Sequence, residues 1–253
     1  MLETIKTLWH NGYQTIDKIK EAKLPDRFRG LPEILKEDNS NDIIEVANLC
    51  PTKAISLNPL TLDMGKCTFC GLCQQMQPAV FHFTQNYIMA TNNEEGLKIR
   101  FGQKPTGINA NKIRKEIHQI FGRSLKLRQI SAAGDNACEA ELNASTNINF
   151  DIQRFGIDFV ASPRHADGVL ITGPISENMA YATEQTYLAV PNPKMIILCG
   201  TAAISGGLFN GSPAVNRKFL DKYPIDLYIP GNPPHPLTIV NALLDFIKTK
   251  PIK

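Results

Sequence analysis

Apolar side chains at Leu2, Ile5, Leu8, Trp9, Tyr13, Ile16 and Ile19 recur every three or four residues and draw one stripe along a helix over residues 2–19, with Gly12 as its weak point. Residues 24–49 then read as polar and irregular, with Pro25, Pro32 and the run Lys36–Asp42 marking loops, and residues 50–90 read as short strands and turns. Residues 91–108, rich in Asn, Gly and Lys, read as a linker or exposed loop. Asn109 opens a helix through Ile113, Ile117 and Ile120 that stops at Gly122. From about residue 124 the pattern changes. Continuous apolar runs at Leu125–Ile130, Ile157–Ala161, Gly168–Thr172, Met195–Cys199 and Asp226–Ile229 alternate with helical segments at 138–150, 176–189, 203–210 and 236–249. That alternation predicts an open α/β domain with a mostly parallel sheet covered on both faces.

Composition narrows the function classes. The 253 residues suit one or two domains, and 43% apolar with 20% charged residues is ordinary globular usage. Net charge is +3 and there is no Lys/Arg run, so nucleic acid is not an expected partner. No apolar run approaches the ~20 residues that span a bilayer. The N-terminal stretch lacks a signal-peptide pattern, which places the chain in the cytoplasm, where its six cysteines are not expected to pair as disulfides. The N-terminal stripe has two readings: a helix packed on its own domain, or a basic amphipathic helix lying on a membrane or a partner.

Four of the six cysteines fall between positions 50 and 73. Cys67-Thr-Phe-Cys70-Gly-Leu-Cys73 is a C-x2-C-x2-C run, which lets three thiolates of one loop face one group. Bacterial ferredoxins continue that run with x3-C-P, the last Cys serving a second cluster. Here the fourth position is Gln77, followed by Pro78. Cys50-Pro51 reads as the end of an earlier run whose other members would be Ser40, Ile43 and Val46. Both departures delete the same cluster and spare the other. One [4Fe–4S] site remains, on Cys50, Cys67, Cys70 and Cys73; a zinc ion on the same four thiolates is the alternative. There is no phosphate-loop motif around Gly206-Gly207, and no nucleophile–base pairing that suggests a catalytic site.

The segments Phe28–Glu33, Cys50-Pro51 and Cys67–Cys73 resemble the ferredoxin-like subunit of formate hydrogenlyase, of related energy-converting hydrogenases and of respiratory NADH:quinone oxidoreductase. The second half resembles the small, 20-kDa-like subunit of the same complexes. The resemblance lies in Arg154–Ile157, Ser162–Asp167, Ile171–Gly173, Ser205–Phe209 and Tyr228–Pro236. The chain therefore looks like a fusion of two subunits. It would comprise an N-terminal arm (1–27), a ferredoxin-like α+β domain (28–95), a linker and helix (96–123), and a flavodoxin-like α/β domain (124–253).

That resemblance implies a proximal cluster in the second half, but at its four ligand positions this chain has Asp135, Cys138, Ala202 and Asn232. The second cluster is expected to be absent, with Cys138 and Cys199 as small buried residues. Glu141 is expected to face the former cluster pocket, and Arg164 and His165 to lie near the partner interface. The resemblance implies as partners a hydrogenase large-subunit-like protein, a membrane anchor and antiporter-like membrane subunits, with the chain peripheral on the inner face of the membrane. The expected role is structural coupling, with one cluster. The alternatives are an electron-transfer subunit passing electrons from that cluster to a partner, and a free-standing redox sensor.

Overall fold

The computed structural model describes residues 2–103, 105–114, 116–117 and 124–248. Five parallel strands form the sheet of the second half: β6 (Leu125–Ser131), β7 (Ile157–Phe159), β8 (Gly168–Thr172), β9 (Met195–Cys199) and β10 (Leu227–Ile229). Their spatial order is β10-β9-β8-β6-β7. Counted within the domain this is 2-1-3-4-5 read from the β7 edge, the flavodoxin-like doubly wound order. All residues of β8 and β9 are buried, as their unbroken apolar runs require.

The helices Ala137–Ala144, Glu177–Ala189, Thr201–Ser205, Lys218–Lys222 and Pro236–Lys248 complete this half. Glu177–Ala189 and Pro236–Lys248 lie within two residues of their expected bounds, and Lys218–Lys222 is a helix where none was expected. The expected helix 138–150 ends at Ala144, and a 3-10 turn follows at Ile152–Phe155. The expected helix 203–210 starts earlier and is broken at Gly206, beyond which Gly207–Phe209 is a 3-10 turn. The last residue of the expected helix 236–249 lies outside the described residues.

The first half holds two small antiparallel sheets, β1 (Pro32–Ile34) with β4 (Phe81–Phe83), and β2 (Ile55–Ser56), β3 (Thr61–Asp63) and β5 (Lys98–Arg100). Two expectations fail here. Residues 24–49 are not all loop, because Ile43, Val46 and Ala47 form a buried face of the helix Asn41–Leu49. Residues 98–100, expected in a linker, pair with β3. Asn109 does cap a turn, the 3-10 segment Ala110–Lys112, through its side chain. Ile113 and Ile117 are buried. Ile120 and Gly122, the expected end of that helix, lie outside the described residues.

The N-terminal stripe splits in two. The helix covers only Leu2–Asn11 and none of its residues is buried. It ends at Gly12, whose φ of +60° suits the left-handed turn. Ile16 and Ile19 instead pack into the core of the α/β half with Ala22 and Leu24. The Ile19 carbonyl accepts from Asn241 and from the Tyr87 hydroxyl, at 3.0 and 2.8 Å. Residues 16–24 thus strap the two halves together.

Candidate functional site

The loop Cys67–Cys73 is built by two left-handed residues, Phe69 and Gly71, with φ of 54° and 81°. These reversals turn the chain tightly enough for three cysteines of one short segment to face one space. A side chain at Gly71 would also press on Arg29, whose Nε donates to the Phe69 carbonyl. Arg29 of the Phe28–Glu33 motif therefore braces the loop from outside. Cys50 enters from the end of the helix Asn41–Leu49.

Cys50, Cys67, Cys70 and Cys73 line one cavity, closed by Val46, Ile55, Leu62 and Phe83. Cys67 and Cys73 are buried, Cys50 is half-buried and Cys70 is exposed. Two backbone N–H groups already point at sulfur: Ala54 to Cys50 and Phe69 to Cys67, each at 3.3 Å. Burial, with repulsion from the neighbouring thiols, pushes Cys73 up to about 11 and Cys67 higher still. Cys67 and Cys73, this reluctant to ionise, become thiolates only beside a positive group that offsets the loss of water. Among the described residues, no three His, Cys, Asp or Glu side chains gather as they would around a single metal ion. All-thiol donors with N–H···S bonds already in place are the donor chemistry that an iron–sulfur group takes.

A second pocket lies at the C-terminal edge of the parallel sheet, where doubly wound folds place their sites. It is lined by Gly134, Asp135, Cys138, Glu139, Gly173, Pro174, Ala202, Leu208, Phe209, Asn232 and also Thr68. The structure thus brings Asp135 and Cys138 together with Ala202 and Asn232, which are far from them in sequence. A side chain at Gly173 (φ +81°) would lie 2.4 Å from the Gly134 nitrogen, so the loops after β6 and β8 approach this closely only through glycine.

Glu139 corrects the expectation for Glu141. Glu139 lines the pocket, whereas Glu141 is not among its walls. Glu139 Oε1 accepts from Ser131 and Thr172, each at 2.6 Å, joining the last residues of β6 and β8. Burial raises the carboxyl of Glu141 above its usual range. Sequence reasoning passed over Glu139; its signal was the i, i+1 position after Cys138. Cys138 and Cys199 are both buried, as expected, and burial raises both thiols, Cys138 to about 12. Arg164 and His165 sit exposed on the 3-10 turn Pro163–His165.

The two cavities are neighbours. Thr68 lines both, and the Cys67 carbonyl accepts from Thr201 Oγ1 at 2.7 Å. Thr91 and Tyr228 exchange backbone hydrogen bonds, so the first half also grips the β10 edge.

The family described as NADH ubiquinone oxidoreductase, 20 Kd subunit, matches residues 136–246. Over 136 residues the chain is 32% identical to a protein of Pyrococcus furiosus described as "Probable membrane-bound hydrogenase subunit"; the match covers 53% of this chain and 81% of that one. It is 38% identical over 129 residues to NADH-quinone oxidoreductase subunit 6 of Thermus thermophilus, covering 51% of this chain and 70% of that one. It is 39% identical over 114 residues to formate hydrogenlyase subunit 7 of Escherichia coli, covering 45% of each.

Proposed function

Because the chain belongs to the family of the NADH ubiquinone oxidoreductase 20 Kd subunit, we propose that it is a peripheral subunit of a membrane-associated hydrogenase-related or respiratory-complex-like assembly, with one [4Fe–4S] cluster held by its first half. The ligands would be Cys50, Cys67, Cys70 and Cys73. The observation that carries this reading is their convergence on one cavity, while the pocket of the α/β half offers only Cys138 among Asp135, Ala202 and Asn232. Alanine cannot ligate iron and asparagine does so poorly, so the second half carries no cluster. Its relatives' descriptions name membrane-bound hydrogenase, quinone oxidoreductase and formate hydrogenlyase assemblies. Among the described residues no helix is long and apolar enough to cross a membrane, which supports attachment through partners. A large-subunit-like protein, a membrane anchor and antiporter-like subunits are the proposed partners. The proposed docking face is the sheet-edge pocket with exposed Leu208 and Phe209.

When bound, a cluster of this type supplies one-electron transfer. The chain's own contribution is to hold it: Arg29 braces the loop, the N–H groups of Ala54 and Phe69 stabilise charge on sulfur, and Leu62 and Phe83 exclude water. The role is then structural coupling with a single redox group. One observation favours the second reading, an electron-transfer subunit: Thr68 lines both the cysteine cavity and the proposed docking pocket, which leaves only a short gap between them. Single Cys→Ser variants test the ligand set. C50S, C67S, C70S and C73S should each lose the iron–sulfur absorbance, and C138S should keep all of it. Loss of absorbance in C138S would place a cluster in the α/β half and overturn the reading.

A further inference from the structure

Thr201 begins the short helix after β9 and is fully buried. Its backbone N–H donates to the Gly231 carbonyl at 2.9 Å, which fastens the loops after β9 and β10 to each other. The hydroxyl is therefore not required by its own half. It lies 2.7 Å from the Cys67 carbonyl and 3.1 Å from Gly231 O, and its single proton goes to the nearer acceptor, across the boundary between the halves. Cys67 is in turn tied into its loop, donating its N–H to the Asp63 carbonyl at 2.9 Å and accepting the Phe69 N–H on sulfur. The next residue, Thr68, reaches the sheet-edge pocket. Ile204, one turn beyond Thr201, packs against the apolar cores of both halves.

We propose that Thr201 is a positioning residue for the Cys67–Cys73 loop: its hydroxyl sets the place of the Cys67 main chain and so ties the cluster to the pocket at the sheet edge. This rests on the cluster reading above. The physical content is specific. Valine has the shape of threonine but no proton, so Thr201→Val leaves the Cys67 carbonyl buried without its donor. The carbonyl must then turn, and the change passes through one residue to the Phe69 N–H that faces the Cys67 sulfur. A hydrogen bond to a ligand sulfur tunes the potential and lability of an iron–sulfur cluster. Movement of the pocket loops on docking would reach the cluster by the same route, since Thr201 and Ala202 are adjacent.

The test uses the full chain, purified anaerobically and loaded with iron and sulfide. Wild type, T201V and T201S are compared by EPR-monitored redox titration, by the EPR line shape, and by the rate of iron release to a chelator. T201V should shift the potential, alter the line shape and release iron faster, on the order of tenfold. T201S keeps the hydroxyl and should match wild type. If T201V does not accumulate as folded protein, T201A replaces it against the same T201S control. Loaded T201V that matches wild type in all three readouts overturns the inference and leaves the cluster reading intact. T201S failing as badly as T201V also overturns it, because the methyl packing would then be what matters. Wild type that takes up no iron overturns the cluster reading itself, and the inference with it.

Discussion

The guanidinium of Arg217 donates to the Ile204 carbonyl at 2.7 Å, and with its remaining N–H groups it reaches the carbonyls of Ala203, Ala202 and Pro174 at 2.8, 3.3 and 3.2 Å. One side chain thus caps the carbonyl end of the helix Thr201–Ser205 and joins it to the loop after β8. Both loops wall the sheet-edge pocket. Arg217→Ala should cost about 2–4 kcal/mol in denaturant unfolding, because several carbonyls lose a charged donor together. Arg217→Lys should recover only part of this, since an ammonium has three donors and no planar fork. A loss under about 0.5 kcal/mol, the range of an ordinary surface change, would show that water replaces the guanidinium.

His235 makes the acid side of the stability profile testable. Its Nδ1 accepts from the Leu237 backbone N–H at 3.1 Å, so the ring is neutral in the folded state. Its ring meets Phe28 and Phe150 edge-on, at 5.6 and 5.7 Å between centroids. Burial lowers its pKa below the ordinary imidazole value. The unfolded chain therefore binds the proton more readily. The contribution of His235 is complete above about pH 6.5 and is lost as pH falls through the lowered folded value, with a slope of at most about 1.4 kcal/mol per pH unit. His235→Asn can keep the N–H acceptor without titrating, so it should flatten that slope while lowering stability at neutral pH. An unchanged slope would assign the acid sensitivity to other groups.

The helix Leu2–Asn11 should be dispensable for folding. Leu8 and Trp9 are 65% and 85% exposed, so replacing both by Ser removes no core contact. Stability should change by less than about 0.5 kcal/mol and iron content not at all. Co-sedimentation with membranes, or with the native complex, should drop if this helix is an anchor. Full retention would mean that the sheet-edge face is enough by itself.

The α/β half should fold without metal, but only with its strap. Ile16, Ile19, Ala22 and Leu24 cover its core. A fragment that starts at residue 109 lacks them, and it should melt well below the full chain treated with chelator. If the chelated full chain loses the cooperative melt of its parallel sheet, a metal group holds that half together.

The α/β half was legible because its strands are buried on both faces: Gly168–Thr172 and Met195–Cys199 stand out as unbroken apolar runs. The ligand candidates were legible by spacing. Less visible was anything set by packing between the halves. The stripe from Leu2 to Ile19 reads as one helix because its period is unbroken, but Gly12 ends the helix and the core of the other half captures Ile16 and Ile19. The three-residue strand β5 is too short to show a period and owes its place to pairing with β3. Glu139 was hidden for a related reason, since its hydroxyl partners are the ends of two strands distant in sequence.

The central claim is that one chain carries one cubane cluster, in the first half alone. Anaerobically purified full-length protein, analysed for metals and by spin-quantified EPR after reduction, tests it most directly. The account predicts about four irons per chain and a single [4Fe–4S] signal integrating to about one spin. About eight irons with a second signal, or stoichiometric zinc in place of iron, would contradict it.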